Sequence, residues 1–278
     1  MDYQNKVVVI TGSAKGIGNG LAREFAAKGA KLALADFNKE RLDVLVDELK
    51  AGGTEVFGMQ LDVSDYDQTS AFCDKVYETY GHVDYLINNA GVTSIGHILR
   101  LPLSNWHRTF EVNTLGLVNA IKTFANKMVA QDTECYFINT CSNSALAYTN
   151  ALIPAYAASK AAATSLTHSL AVAMIRMNAK MKVICHSPGS VATEICIPDK
   201  GNLDRSDPYF ETEEFKKVNE ACSKIIAAGM SVEDYSKAFF TYLENGDYFI
   251  RPCLDEEPII KAYADGIVDL VGPYDAKK

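Results

Sequence analysis

Six short apolar runs separated by helix-length amphipathic stretches predict an α/β protein built on one doubly wound parallel sheet with helices on both faces. A glycine-rich turn directly after the first run and an acidic residue closing the second add that the sheet is of the dinucleotide-binding, Rossmann type. The runs are residues 7–10, 31–35, 56–61, 83–88, 135–140 and 181–186. They are short enough for strands and continuously apolar, as strands covered on both faces are. Between the first two, Asn19 to Lys28 carries a helical pattern that stops at Gly29. Two long helices are expected over 105–128 and 155–177, the second rich in alanine. After Thr193 the strand-helix rhythm gives way to a polar stretch, 198–214. The expected organisation is a single domain over 1–278, in which 194–225 forms a substrate-binding lid and 226–278 completes the same domain.

Composition excludes several function classes. A formal net charge of -8 and a pI near 5.2 argue against nucleic acid or an anionic membrane surface as partner, since both are polyanions that want a basic face. A small-molecule substrate is expected instead. The seven cysteines show no CxxC pair and no histidine spacing that resembles a zinc site, so no metal is expected and the thiols read as reduced. No run reaches membrane-spanning length, and the first residues lead into a strand without an apolar leader, so the protein is expected to be cytoplasmic.

The glycine turn is the first motif that carries chemistry. Thr11-Gly12-Ser13-Ala14-Lys15-Gly16-Ile17-Gly18 links the first strand to the first helix. Glycines there let the backbone turn tightly, approach a pyrophosphate without a Cβ in the way, and aim free N–H groups and the positive helix end at the phosphates. Asp36 ends the second strand 18 residues after Gly18, followed by Phe37. A carboxylate in that place accepts hydrogen bonds from both adenosine ribose hydroxyls and repels a 2′-phosphate, which favours NAD over NADP. Lys15 pulls the other way, because a cation in the glycine loop could meet that phosphate. Asp62 and Val63, after the third strand, are candidates to meet the adenine.

With these motifs in view, the chain from about 6 to 193 resembles the short-chain dehydrogenase/reductase family in its single-domain form. The marks are the TGxxxGxG turn, Asn88-Asn89-Ala90-Gly91 after the fourth strand, Asn113 in a helix, a serine after the fifth strand, the YxxxK pair Tyr156/Lys160, and Pro188-Gly189-Ser190-Val191-Ala192-Thr193 after the sixth. The resemblance implies that Asn89, Ala90 and Gly91 wall the cofactor cleft, that Pro188, Gly189, Val191 and Thr193 line its nicotinamide end, and that Val191 and Thr193 meet the carboxamide. It also implies that Lys160 holds the nicotinamide ribose and that Asn113 anchors a proton-relaying water.

The residues themselves make the same chemistry reasonable. Tyr156 and Lys160 stand four apart in an alanine-rich helix former, so they project from one face. A phenol titrates near 10, and a fixed ammonium beside it stabilises the phenolate; a downward shift of about 3 units corresponds to roughly 4 kcal/mol. Tyr156 is then the base in alcohol oxidation and the acid in ketone reduction. Ser142 is the candidate to hydrogen-bond the substrate oxygen, with Ser144 the alternative, because Ser142 lies 14 residues before Tyr156, one more than the commonest family spacing.

The substrate pocket is expected from 94–99, 146–153 and 194–224. These offer Ile95, Leu146, Tyr148, Leu152, Ile153, Ile195, Ile197, Tyr209 and Phe210, of which Leu146, Ile153 and Ile195 are the chosen substrate contacts. Such a wall suits a hydrophobic secondary alcohol or ketone, a steroid or bile-acid type among them; the same residues could equally be core. The competing readings are a silent dinucleotide-binding sensor or scaffold, an NADP-preferring carbonyl reductase, and a lyase or epimerase, the last disfavoured because about 85 residues after Thr193 leave little room for a second domain. The resemblance implies a homodimer or homotetramer built on the two long helices.

Overall fold

The computed structural model describes residues 1–146, 151–197, 201–253 and 257–268. Strands β1 (Val7–Thr11), β2 (Lys31–Asp36), β3 (Val56–Gln60), β4 (Tyr85–Asn88), β5 (Cys135–Thr140), β6 (Met181–His186) and β7 (Phe249–Ile250) form one parallel sheet in the order β3-β2-β1-β4-β5-β6-β7. The order reverses beside β1, which pairs with β2 on one side and β4 on the other, so a crevice opens beyond the carboxyl ends of those strands. The six expected strands are present. β7 was not anticipated, since two residues between Tyr248 and Arg251 carry no periodicity; tertiary pairing of Ile250 with His186 makes it a strand.

Helices α1 (Gly16–Ala27), α2 (Lys39–Ala51) and α9 (Val232–Asn245) cover one face of the sheet. There Leu21, Phe25, Leu42, Leu45, Phe239 and Leu243 close over Val8, Ile10, Leu32 and Leu34. Helices α3 (Tyr66–Tyr80) and α7 (Pro154–Arg176) cover the other face, with the run α4 (Leu103–Phe110), α5 (Gly116–Ala120) and α6 (Asn126–Ala130) between them. On that side Phe72, Phe124, Met128, Ala163 and Met174 pack on Val9, Leu86 and Phe137. The expected single helix over 105–128 is interrupted by π-helical turns at Glu111–Leu115 and Ile121–Ala125, a feature that side-chain periodicity does not encode.

Helix starts follow side-chain chemistry. Asn38 accepts from the Arg41 N–H, Asp65 from Gln68, and Thr212, ahead of α8 (Glu213–Ala227), from Phe215; each satisfies an otherwise orphaned first-turn donor. Pro154 opens α7, where its fixed φ and missing N–H cost nothing. Helix α10 (Glu257–Val268) is the last described element. All seven cysteines are buried. Among the described residues, no group of three or more His, Cys, Asp or Glu could hold a metal, and no helix is long and apolar enough to cross a membrane.

Candidate active site

The glycine turn sits at the reversal point of the strand order. Gly12 has φ +64°, and a Cβ there would lie 2.7 Å from the Ala90 Cα, so the β1 turn and the β4 turn touch backbone to backbone. At Gly18 a Cβ would come within 2.2 Å of the Gly12 carbonyl oxygen, which means this glycine serves helix-to-turn packing rather than the cleft wall. Asn89 fastens the two turns from the side: its Nδ2 donates to the carbonyls of Thr11 (3.1 Å) and Gly12 (2.9 Å). What remains open above α1 is bare backbone at a helix N-terminus, a cradle of the shape and polarity that a pyrophosphate needs.

Asp36 lies at the far wall of this cradle, buried at 8% exposure. Its carboxylate accepts from the N–H groups of Ala14 and Asn38, both at 2.9 Å, so the charge is held in place by backbone donors. Lys15, the opposing cation, donates to the Ile197 carbonyl at 3.3 Å. Asp62 is tied up by neighbours: Ser64 donates to it, and Arg108 meets it at 2.8 Å. These bonds together hold its carboxyl below the usual range against the opposing effect of burial.

At the other end, α7 presents Tyr156 and Lys160 on one face, the ammonium 5.7 Å from the centre of the phenol ring. Lys160 is 3% exposed and donates to the Thr140 carbonyl at 2.6 Å. Burial pushes its ammonium down to about 8, with the nearby Cys141 opposing that fall. Gly91 lies against it, and a Cβ on Gly91 would stand 3.3 Å from both Lys160 Nζ and Asn113 Oδ1. Asn113 occupies the first π-helical turn and spends its amide on the fold: Oδ1 accepts from the Val92 N–H, while Nδ2 donates to the Val92 carbonyl and to Ser159, each at 2.9 Å. Asn113 does line a cavity of about 20 Å³ together with Asn88, Asn139, Thr140 and Lys160, which is room for one water with several polar partners.

Ser142 closes the constellation. It accepts two bonds from Ser144, one from the backbone N–H at 3.2 Å and one from the hydroxyl at 2.8 Å. Both lone pairs of Ser142 Oγ are thereby occupied, and its proton remains to donate.

A single cleft of about 420 Å³ joins these parts. Its walls include Gly12, Lys15, Gly16, Ile17, Asp36, Phe37, Asp62, Val63, Asn89, Ala90, Gly91, Ser142, Ser144, Ile153, Tyr156, Lys160, Pro188, Gly189, Val191, Thr193 and Ile195. Four of the chosen cofactor, catalytic and substrate contacts stand off the cleft: Gly18 and Asn113 for the reasons given, Ser13, which is buried and donates to the Ala35 carbonyl, and Leu146, which does not reach it. Ile95, Leu152, Tyr209 and Phe210 pack with Phe215 and Ala155 as a core cluster, so the core alternative holds for them, whereas Ile197 lines the cleft. Tyr148 lies outside the described residues.

No sequence signal pointed to Arg108 and Thr140 on the polar side or to Ile226 and Ile259 on the apolar side, whereas Asn202, Cys222 and Ile225 fall within the expected 194–225 stretch without having been singled out. The isoleucines and Cys222 come from α8 and α10, beyond the reach of any motif. Residues just after Thr193, with Asn202, are tied to the cleft walls. Glu194 pairs with Arg41 at 2.7 Å, Ile197 receives Lys15, and the Asn202 carbonyl receives Arg108 at 3.1 Å.

The sequence matches the short chain dehydrogenase family over residues 6–201. A CLA biosynthesis dehydrogenase/reductase of Lactiplantibacillus plantarum is 28% identical over 271 residues, 96% of this chain and 94% of that protein. A galactitol 2-dehydrogenase of Agrobacterium fabrum is 35% identical over 194 residues, 70% of this chain and 73% of that protein. Among solved structures, a short chain dehydrogenase/reductase from Burkholderia phymatum in complex with NAD superposes with a TM-score of 0.92 at 27% identity, covering 98% of each chain.

Proposed function

The chain belongs to the short-chain dehydrogenase family, an oxidoreductase by that membership, and on this premise we propose that it transfers a hydride between NAD(H) and a hydrophobic secondary alcohol or ketone. The observation that carries the reading is the meeting of Tyr156, Lys160 and Ser142 in one cleft with the glycine turn. The bare backbone of that turn and the positive end of α1 fit a pyrophosphate.

The nicotinamide ring, when bound, supplies the hydride acceptor or donor. Ser142 donates a hydrogen bond from its hydroxyl to the substrate oxygen. Tyr156 takes the hydroxyl proton in oxidation and returns it in reduction, the Lys160 ammonium beside it favouring the phenolate. The water-sized cavity behind Lys160 gives Asn113 the place to hold a water on the proton's way out. Asp36 favours NAD, since a 2′-phosphate against a buried carboxylate is repelled while ribose hydroxyls are welcomed. The segment 194–225 acts as the lid over substrate, and the apolar side of the cleft, Ile153, Ile195, Ile225, Ile226 and Ile259, suits an apolar substrate body, a steroid or bile-acid type included. We assign the protein a homodimer or homotetramer built on α7 and the 103–130 helical run.

Initial rates over a panel of secondary alcohols, steroids and sugars, with NAD and NADP side by side, test the reading. The expected outcome is oxidation of apolar secondary alcohols with NAD favoured about tenfold or more in kcat/KM, which needs only about 1.4 kcal/mol. A higher kcat/KM with NADP overturns the role of Asp36, and NADH binding without hydride transfer to any member of the panel points to a sensor instead.

A further inference from the structure

Behind the Tyr156/Lys160 face runs a buried polar chain that hydride transfer as described does not use. Lys160 Nζ donates to the Thr140 carbonyl at 2.6 Å, Thr140 Oγ1 and His186 Nδ1 lie 2.9 Å apart, and His186 Nε2 and the Tyr235 hydroxyl lie 2.7 Å apart. The β5–β6 register sets Thr140 opposite His186, and α9 lays Tyr235 across them. His186 and Tyr235 are both 0% exposed. An apolar side chain at 186 would fill this layer against Phe239 without any desolvation cost, so an imidazole there is held by the bonds it completes at both ends.

We infer that His186 is a positioning residue for Lys160: with Tyr235 it fixes the Thr140 side chain, and so holds the peptide whose carbonyl receives the ammonium. The inference rests on Tyr156 and Lys160 being the reactive pair. A carbonyl is the acceptor this place calls for, because it anchors the ammonium without neutralising the charge that the phenolate needs. Burial, reinforced by the nearby Lys160 cation, lowers the His186 pKa to about 3, so the imidazole is neutral at working pH. Neutral, it joins two hydroxyls as donor at one nitrogen and acceptor at the other, and sets no second positive charge beside Lys160. Lys160 itself, lowered to about 8, is close to losing its proton, and a misplaced acceptor would tip it.

The titratable groups around this chain are Cys141 just after β5, Cys185 on β6, Tyr156 on α7, Tyr235 and Tyr242 on α9, and Cys253 after β7. Cys185 donates to Cys141, which draws the Cys141 thiol down and its own up.

Three variants test the inference: His186→Leu, Thr140→Val, which keeps the β-branch and the carbonyl, and Tyr235→Phe, which keeps the ring. Each is measured for the pH profile of kcat/KM in alcohol oxidation, for NADH dissociation constant by fluorescence titration, and for Tm. With its acceptor loosened, Lys160 loses charge at lower pH and Tyr156 needs higher pH to ionise. The acid limb should therefore move up by about half a pH unit or more, and NADH binding should weaken by up to roughly tenfold, the scale of one hydrogen bond to a charged group. The double variant His186→Leu/Thr140→Val should be no worse than the worse single one, since both break one chain. A lowered Tm with an unmoved profile and unchanged NADH affinity overturns the inference. Should His186→Leu fail to fold, the two conservative variants decide the matter. Retained activity in Tyr156→Phe is a different failure, that of the catalytic reading itself.

Discussion

Burial lowers the Lys160 ammonium from its ordinary 10.5 to about 8, and each unit corresponds to about 1.4 kcal/mol, so charged Lys160 costs the fold about 3 kcal/mol. Below pH 8 the residue is charged in folded and unfolded chains alike, and that cost is borne in full. Between about 8 and 10.5 the folded form sheds its proton first, so on this group's account stability rises with pH; above 10.5 the two states agree. Lys160→Met should accordingly melt above the parent protein near pH 7, with the gap closing as the pH passes from 8 to 10.5. Melting curves of both proteins without cofactor check this, and a gap that is constant or grows with pH contradicts it. Tyr156, Lys160 and Asp36 were legible in the sequence because their spacing along the chain is itself the signal. Thr140, His186 and Tyr235 were not, since their bonds join residues 46 and 49 positions apart and exist only once β5, β6 and α9 have met.

Among the elements, the β1–α1 turn asks most of its backbone. Gly12 combines φ +64° with a Cβ position 2.7 Å from Ala90 Cα, whereas Gly53 has φ +86° and nothing within 4 Å. Alanine at either position pays the left-handed strain, of order 1–2 kcal/mol. Only at Gly12 does it also push the β1 turn off the β4 turn. Gly12→Ala should therefore lose both Tm and NADH affinity, while Gly53→Ala loses Tm alone; equal NADH dissociation constants for the two variants would remove the turn from the cofactor site. The six strands and this turn were readable because β-branched and apolar runs and glycine placement are local properties. The π-helical turns, β7, and the burial of Tyr209 and Phe210 with Phe215 rather than in the cleft were not readable, because each is decided by packing against distant segments.

On the scale of the whole molecule, Leu103 (69% exposed), Leu115 (51%), Val172 (47%) and Ile175 (77%) stand out on α7 and the 103–130 helical run. Apolar groups so placed fit helix faces that another copy covers. Light scattering at micromolar concentration should give a dimer or tetramer; a 30.4 kDa species alone contradicts the assembly. The sheet order, residues 194–197 with Asn202, and the α8 and α10 walls all converge on one cleft, whose chemistry turns on one proton. Tyr156→Phe removes the phenol oxygen and leaves the ring to pack. With a good alcohol substrate, kcat should fall by roughly 10²–10⁴-fold while NADH binding stays near the parent value. A variant that keeps most of its turnover would contradict the assignment of Tyr156 as the proton-transferring group.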